Sequence, residues 1–252
     1  VYDSGRRHNL VWLPRWGCDG MIGSAQKLLM ARAGVRGVMS FSNTDTASVV
    51  GFITNTSYTF SALSLGDADT DRSIYIAVIG GGPEAGAPPI SGVSVSGVSA
   101  DLVTTNRIQG ASSYSVQTDI WRASLPTGAT GDVVVSFSGG NKYGVTVSVY
   151  RVLGASNTLF DSAADQVTSS ADINLSVNTP ADGAVIACAI SQNSTGPVFS
   201  GVTSDITADV YTNEWSFAGS TFPTTILSPQ TITFSATTAA AKVGVAIALQ
   251  PA

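Results

Sequence analysis

Three aspartates at alternate positions are the residues whose type and spacing most resemble a ligand set. Asp67, Asp69 and Asp71 follow the spacing of the first carboxylates in calcium-binding loops. A complete EF-hand loop would also have glycine at position 72 and glutamate at position 78, where this chain has Arg72 and Val78. Two interpretations are open: a calcium site with flexible coordination, or a solvated turn capped by Asp71 with Arg72 beside it. We favour the turn.

Other catalytic or metal chemistry has few residues to draw on. His8 is the one histidine, and the chain has two cysteines, too few for a usual zinc site. Cys188 lies in an apolar run and is expected to be a small buried side chain. Glu84 and Glu214 are the only glutamates, and nothing marks out the facing carboxylate pair of a glycosidase. We therefore expect no enzyme activity and no cofactor.

A group of aromatic residues forms the candidate ligand or partner surface. Trp121 and Trp215 fall at matching positions of an internal repeat, and Tyr114, Tyr211 and Phe222 lie near them in sequence. Matching positions favour a shared packing role in or near the core. If a face of this protein binds a glycan or another protein, this neighbourhood is the candidate.

The composition predicts the elements that must position these residues. Hydrophobic residues make up 44% of the 252 residues and charged residues only 12%, while Ser, Thr and Gly number 33, 26 and 26. Helical surfaces use Lys, Glu and Ala, whereas this chain favours residues of strands and turns. No apolar run reaches eighteen residues, so we expect no membrane-spanning segment. The composition predicts an all-β fold.

Charge divides the chain into two parts. Residues 1–36 carry six basic and two acidic residues, a charge of +4, and the remainder carries six basic against fifteen acidic residues, a charge of −9. An acidic body lacks the basic face that nucleic-acid binding requires. Residues 1–38 also lack the Ser/Thr character of residues 39–252. They are either upstream sequence, with Met39 as the natural start, or a basic N-terminal arm, disordered or with a short helix around residues 23–33.

The remainder, 39–252, has strand patterns and an internal repeat. Period-2 alternation predicts strands at 48–54, 58–65, 73–80, 90–96, 112–122, 131–138, 143–153, 171–177, 183–190, 198–203, 209–218, 229–236 and 241–249. Gly80–Gly82 is expected to be a flexible hairpin loop. Five motifs recur in the same order, which indicates repeats at about 58–153 and 172–250. They pair 118–121 (TDIW) with 212–215 (TNEW), and 143–150 (YGVTVSVY) with 243–249 (VGVAIAL).

Two architectures accommodate a duplicated unit of about six strands. The first is one double-sheet antiparallel sandwich of jelly-roll type, in which the two units face each other. The second is a pair of tandem immunoglobulin-like sandwiches. We favour the first because the second unit has fewer than eighty residues, which is small for a core of its own.

Three stretches resemble bacteriophage virion structural proteins. They are 58–78 (YTFSALSLGDADTDRSIYIAV), 125–138 (LPTGATGDVVVSFS) and 243–249 (VGVAIAL), and the resemblance covers about 40–252. It implies a Ser/Thr/Gly-rich β-sandwich on the tail or decorating the head. It implies no catalytic residues.

The resemblance and the composition together favour a non-enzymatic particle protein that works through protein–protein contacts. Its expected partners are other virion proteins and copies of itself, with a trimer as the expected homo-oligomer, and neither nucleic acid nor membrane. Its expected location is the virion, assembled in the host bacterial cytoplasm. The alternative is a receptor- or carbohydrate-binding module for host attachment, on a phage or bacterial surface, with a host-surface glycan as partner. A depolymerase-like enzyme draws little support, because no nucleophile, base and orienting group are apparent.

Overall fold

Strands make up nearly all of the regular structure in the described part of the chain. The computed structural model describes residues 38–50, 55–82, 88–109, 115–139, 144–192, 194–211, 213–223, 225–237 and 241–252. The predicted N-terminal arm therefore lies outside the described residues. The first half contains β1 Ser40–Val49, β2 Ser57–Ser64, β3 Ser73–Gly82, β4 Ile90–Val95, β5 Val98–Ser99, β6 Asp101–Gln109, β7 Ser115–Ser124, β8 Thr130–Phe137 and β9 Gly144–Leu153. The second half contains β10 Asp161–Val167, β11 Ile173–Thr179, β12 Ala184–Gln192, β13 Thr195–Ser200, β14 Thr203–Tyr211, β15 Glu214–Thr221, β16 Leu227–Thr237 and β17 Ala241–Leu249.

Each half forms one large and one small antiparallel sheet. The first large sheet has the order β1-β9-β3-β7-β6, and the first small sheet has the order β2-β8-β4-β5. The second large sheet has the order β10-β17-β12-β15-β14, and the second small sheet has the order β11-β16-β13. Apart from the two-residue strand β5, the order in the second half repeats that in the first.

The four sheets stack in four layers, with the large sheets in the middle. One apolar cluster fills the space between the first small and first large sheets, and two smaller clusters fill the corresponding space in the second half. A further cluster lies between the two large sheets, and we call this interface the seam. Strands buried on both faces lose the alternation of polar and apolar residues. This explains the continuous apolar runs of β3 and β12.

The seam brings the two large sheets together in a reciprocal way. β1 packs on β14, and β6 packs on β10, while the central strands β3 and β12 pack on each other. In the shared strand order β10 corresponds to β1 and β14 corresponds to β6. Each half therefore offers the same pair of edges to the other, as two subunits do across a two-fold axis.

Glycines permit the close approach of the large sheets at one end of the seam. Gly81 and Gly144 are cross-strand partners in β3 and β9. A Cβ atom on Gly81 would lie 2.9 Å from Cδ1 of Ile190, and one on Gly144 would lie 2.6 Å from Cβ of Val210. Gly80–Gly82 is thus the buried end of β3, and the expectation of a flexible hairpin loop there was wrong.

The all-β antiparallel prediction is confirmed, but the number of sheets differs. The described residues form four sheets, with one sandwich in each half, where we favoured two sheets for the whole chain. The argument from size failed because neither half relies on its own core alone: each large sheet also buries its second face in the seam. The shared strand order is what a duplication would produce. The duplication, the jelly-roll type and the immunoglobulin-like type stay predictions.

Edge strands account for most of the differences from the predicted strands. β6, β10 and β14 have no counterpart of their own among the predicted strands, and the strand predicted at 209–218 spans the turn between β14 and β15. All three lie at the edges of large sheets and expose much of their surface. These strands contain Asp, Thr and Asn residues, so they lack the clear alternation of polar and apolar residues by which a strand is recognised in the sequence.

Candidate functional site

Of the three candidate calcium ligands, Asp69 and Asp71 accept hydrogen bonds from different main-chain groups. One carboxylate oxygen of Asp69 accepts a hydrogen bond from the backbone N–H of Asp71 at 2.9 Å. Asp71 in turn accepts one from the N–H of Gly154 at 2.8 Å. The described residues contain no group of three or more His, Cys, Asp or Glu side chains arranged to hold a metal ion. This geometry corresponds to a capped turn that also fastens the end of β9 to the β2–β3 connection.

Arg72 provides the positive charge of this turn, and its partners are carbonyl groups instead of Asp71. The side chain is 1% exposed, and its guanidinium donates to six main-chain carbonyl oxygens at 2.6 to 3.4 Å. These carbonyls belong to Leu65, Gly66, Asp67, Leu125, Thr127 and Gly128. Burial lowers the pKa of Arg72, and the nearby Arg151 lowers it further. The guanidinium occupies the centre of a carbonyl cluster of the kind that cations favour.

Trp121 lies inside the first half, on the side of β7 that faces the small sheet. It is 7% exposed and belongs to the core between the first two sheets. Its indole N–H donates to Asp119 at 3.3 Å, and Thr105 and Gln117 donate to the same carboxylate. Burial raises the pKa of Asp119 to about 6, against the opposing effect of these three donors. The tryptophan and the carboxylate therefore form an internal polar cluster instead of a binding surface.

Trp215 is half-buried in the second half, and it is not the counterpart of Trp121. Trp121 pairs with Ile76 across the β3–β7 ladder, whereas Trp215 pairs with Ser191 across the β12–β15 ladder. The recurring stretches 65–78 and 177–189 align β3 with β12 so that Ile76 matches Ala187. The partner of Ala187 in β15 is Gly219, which therefore corresponds to Trp121. The predicted equivalence of the two tryptophans was wrong by four residues. Two sheets separate them, so they do not form one site.

The match between β9 and β17 is also out of phase. Val145 and Val147 point into the core of the first half, whereas Val245 and Ile247 point into the seam. Aligned residues of the two motifs thus face opposite sides of their sheets. Of the other proposed surface residues, Tyr114 and the side chain of Tyr211 lie outside the described residues, as does Glu84.

Glu214 is a buried carboxylate. The sequence analysis named it only as a possible member of a glycosidase pair. It is 2% exposed and lies at the glycine end of the seam, with Oε2 about 3.4 Å from the Cβ position of Gly81. Burial raises its pKa to about 7, Gln192 opposes the rise, and Asp209 adds to it. Within the described ranges, Oε2 of Glu214 and Oε1 of Gln192 have no hydrogen-bond partner. The second carboxylate whose charge acts on Glu214 is that of Asp209, an exposed residue of β14.

A chain of hydrogen bonds crosses the other side of the seam, near β1 and β14. The amide of Asn43 donates to Ser148, which is hydrogen-bonded to Tyr150. Tyr150 donates to Asp205 of the second half at 2.9 Å, and Ser220 adds a further hydrogen bond to this carboxylate. Burial raises the pKa of both Tyr150 and Asp205. The sequence carries no signal for this series of hydrogen bonds, because its residues come from four strands in both halves.

An aromatic stack lies beside that chain. Phe41 of β1 stacks on Tyr150 with ring centroids 5.6 Å apart, and Phe222 of the second half stacks on Phe41 at 6.3 Å with planes within 2°. Phe222 is 38% exposed. Of the aromatic residues named from the sequence, Phe222 is thus one with a ring face at the surface.

Two further buried groups are held by internal contacts. The thiol of Cys188 is fully buried, as expected, and contacts the carbonyl oxygen of Asp119 across the seam at 3.8 Å. Burial raises the pKa of this thiol. Lys242 donates to the carbonyl oxygens of Ser170 and Ala171 at 2.8 and 2.7 Å and lies 3.9 Å from Asp172.

Comparisons with known proteins identify no relative of this chain. No family model, curated protein or solved structure matches the chain. Across the described ranges, no helix has the length and apolar character needed to span a membrane.

Proposed function

We propose that the chain is a non-enzymatic structural component of a bacteriophage particle, on the tail or as a head decoration, which works through protein–protein contacts. The observation that carries this proposal is that several ionisable side chains form hydrogen bonds inside the fold. Asp119, Asp205, Arg72 and Lys242 are each hydrogen-bonded to fixed internal partners. Such groups stabilise a scaffold, whereas a catalytic acid or base must reach a substrate.

The outward surfaces support the same proposal. In β2, the exposed Ser57, Thr59 and Ser61 alternate with the buried Tyr58 and Phe60. In β16, outward-facing hydroxyl residues likewise alternate with buried Ile232, Phe234 and Ala236. Strands β2 and β16 thus each present a row of uncharged hydroxyl groups, which can form hydrogen bonds with other particle proteins.

Exposed apolar side chains lie on several strands and connections of the described part of the chain. Val98, Leu102, Val198 and Ile226 are 40%, 48%, 60% and 71% exposed, and they lie on four different elements or connections. Contacts between copies would then combine single apolar side chains with hydroxyl-rich faces. The expected trimer rests on this kind of contact, and light scattering of the purified chain measures it directly.

The alternative of a glycan-binding module draws on one observation. The ring of Phe222 is partly exposed and is held parallel to Phe41, and an oriented ring of this kind can stack on a sugar. A glycan array comparing the wild type with Phe222→Ala tests this alternative. Loss of a glycan signal in the variant favours attachment over a purely structural role.

Mass spectrometry of purified phage particles from the source tests the main proposal. We expect peptides of 39–252 at many copies per particle. Peptides from 1–38 would contradict Met39 as the natural start without affecting the structural role. Absence of the chain from particles that contain the other virion proteins would contradict the structural role itself.

A further inference from the structure

A cavity of about 310 Å³ lies where the linker between the halves crosses the end of the first large sheet. Tyr75, Arg122 and Asp101 line it from three neighbouring strands, β3, β7 and β6. Asn157 and Leu159 line it from the linker, and Leu102 and Val103 complete the wall. The volume is at the lower end of the range for small-molecule sites, so a single small ligand fits it.

The polar side of the cavity is a cross-strand row. Arg122 is the register partner of Tyr75 in one ladder and of Asp101 in the other. Directly opposed residues have Cβ atoms about 5 Å apart, so the three side chains leave the sheet as neighbours. The guanidinium of Arg122 lies over the ring of Tyr75, 5.9 Å from its centroid, which orients the positive charge.

Arg122 and Asp101 are neighbours that do not pair with each other. Arg122 donates to Ser73 at 3.3 Å and to the backbone and side-chain oxygens of Asn157. A guanidinium has five N–H groups, so two keep no partner within the described ranges. In the same ranges Asp101 has no side-chain hydrogen bond and no ion pair within 4.0 Å, although its register partner is an arginine. The cavity thus offers one positive and one negative group side by side.

The other side of the cavity is apolar and shaped by a bulge. The β6–β7 register shifts between Leu102 and Thr104, so that Val103 is an additional residue in β6. Bulges on edge strands redirect side chains, and they are frequent beside binding sites. Val103 and Leu159 both pack on the seam cluster, which fixes the apolar wall.

We propose that this cavity binds a free α-amino acid with an apolar side chain. The α-carboxylate accepts hydrogen bonds from the two remaining N–H groups of Arg122, and the α-ammonium pairs with Asp101. The ammonium and carboxylate groups of an amino acid are attached to the same carbon atom. This close spacing matches that of Arg122 and Asp101, which are cross-strand register partners. The apolar side chain lies against Leu102, Val103 and Leu159. This site is independent of the proposed particle role.

Calorimetric titration with three ligands of nearly equal shape tests the proposal. L-Leucine has both charges, 4-methylpentanoate lacks the ammonium, and leucinamide lacks the carboxylate. We expect millimolar binding of leucine, with each of the other two at least about tenfold weaker. Equal affinity for all three, or no heat with leucine at concentrations that saturate a millimolar site, would overturn the proposal.

Two variants assign the charges to their residues. Asp101→Asn is expected to weaken leucine at least about tenfold and to leave 4-methylpentanoate unchanged, because only the ammonium loses its partner. Arg122→Gln is expected to weaken leucine similarly and to leave leucinamide unchanged. Asp67→Asn, an exposed change outside the cavity, is the matched control and should bind leucine as the wild type does. Because Asp101 is exposed, its variant should fold even if Arg122→Gln does not. An unchanged leucine affinity in Asp101→Asn contradicts the site.

Discussion

The hydroxyl of Tyr150 in the first half donates a hydrogen bond to Asp205 in the second half, at 2.9 Å. Tyr150 is fully buried, and Phe41 stacks on its ring. The contact therefore joins a fully buried tyrosine of one half to a partly buried carboxylate of the other.

Removing this hydroxyl is expected to weaken the attachment of the halves. Tyr150→Phe keeps the ring and its stacking but leaves Asp205 with one donor fewer. Loss of a partner from a partly buried carboxylate costs about 1–3 kcal/mol in free energy of unfolding. Urea denaturation measures the change, and Thr203→Ser, at an exposed position of the same strand, serves as the control. A change below about 0.5 kcal/mol, the usual range for surface substitutions, would contradict the prediction.

Glu214 is expected to make stability depend on pH near neutrality. A carboxyl whose folded pKa is raised binds its proton more tightly in the folded state, so stability is lost as pH rises. For Glu214 the loss extends from the ordinary value of 4.5 to about 7 and is on the order of 3 kcal/mol.

Glu214→Gln tests this dependence, because the amide cannot ionise. We expect the variant to match the wild type near pH 4 and to exceed it in free energy of unfolding at pH 8. Asp119→Asn provides a comparison with a different window, from 3.8 to about 6. If wild type and Glu214→Gln lose stability in parallel between pH 5 and pH 8, Glu214 is not the group responsible.

Arg72 is expected to be among the most important single residues for stability. Arg72→Met leaves six carbonyl oxygens without their donor, and a buried network broken at one partner typically costs about 3–5 kcal/mol. Arg72→Lys keeps the charge but reaches fewer carbonyls, so its loss should be intermediate. Thermal unfolding measures the loss in both variants. Equal losses in the Met and Lys variants would contradict a role for the charge and assign the effect to the lost guanidinium geometry.

The same cluster makes a prediction about calcium. Because the guanidinium already occupies the carbonyl oxygens, millimolar calcium should leave the melting temperature of the wild type unchanged. A calcium-dependent rise that Asp69→Asn abolishes would restore the metal-site interpretation of Asp67, Asp69 and Asp71.

Two seam glycines are expected to tolerate a methyl group unequally. In Gly81→Ala the new methyl meets the flexible end of Ile190, whereas in Gly144→Ala it meets the backbone oxygen of Val210 at 2.8 Å. Gly144→Ala should therefore lose more free energy of unfolding, about 1–3 kcal/mol, because backbone atoms cannot move aside. Gly92→Ala, where no atom lies within 4 Å, is the control. The reverse order would show that the seam yields more readily at β14 than at β12.

Central strands were predictable because their residues carry the signal themselves. The runs in β3 and β9 are apolar enough to be recognised without their neighbours. β10 was not predictable, since residues such as Asp161 and Asp165 use their side chains to accept N–H groups of Asn178 and Asn174. Such contacts depend on the neighbouring connection and not on alternation along the strand.

The candidate sites were less predictable than the strands. An arginine after three aspartates suggests an ion pair, but Arg72 instead bonds two loops about sixty residues apart. The cavity at Arg122 depends on a cross-strand register and on a linker, neither of which is visible in the chain order. The recurring motifs follow the same strand order in both halves, but two of the residue-by-residue matches, that of the tryptophans and that of β9 with β17, are out of register.

The reciprocal seam has a consequence for how this molecule responds to dilution. Two separate subunits with such an interface would come apart as their concentration falls, because association depends on mass action. Here residues 154–160 tether the halves, so each meets the other at a fixed effective concentration however few molecules are present. The seam itself should accordingly add no concentration dependence to the melting temperature, and both halves should unfold in one transition.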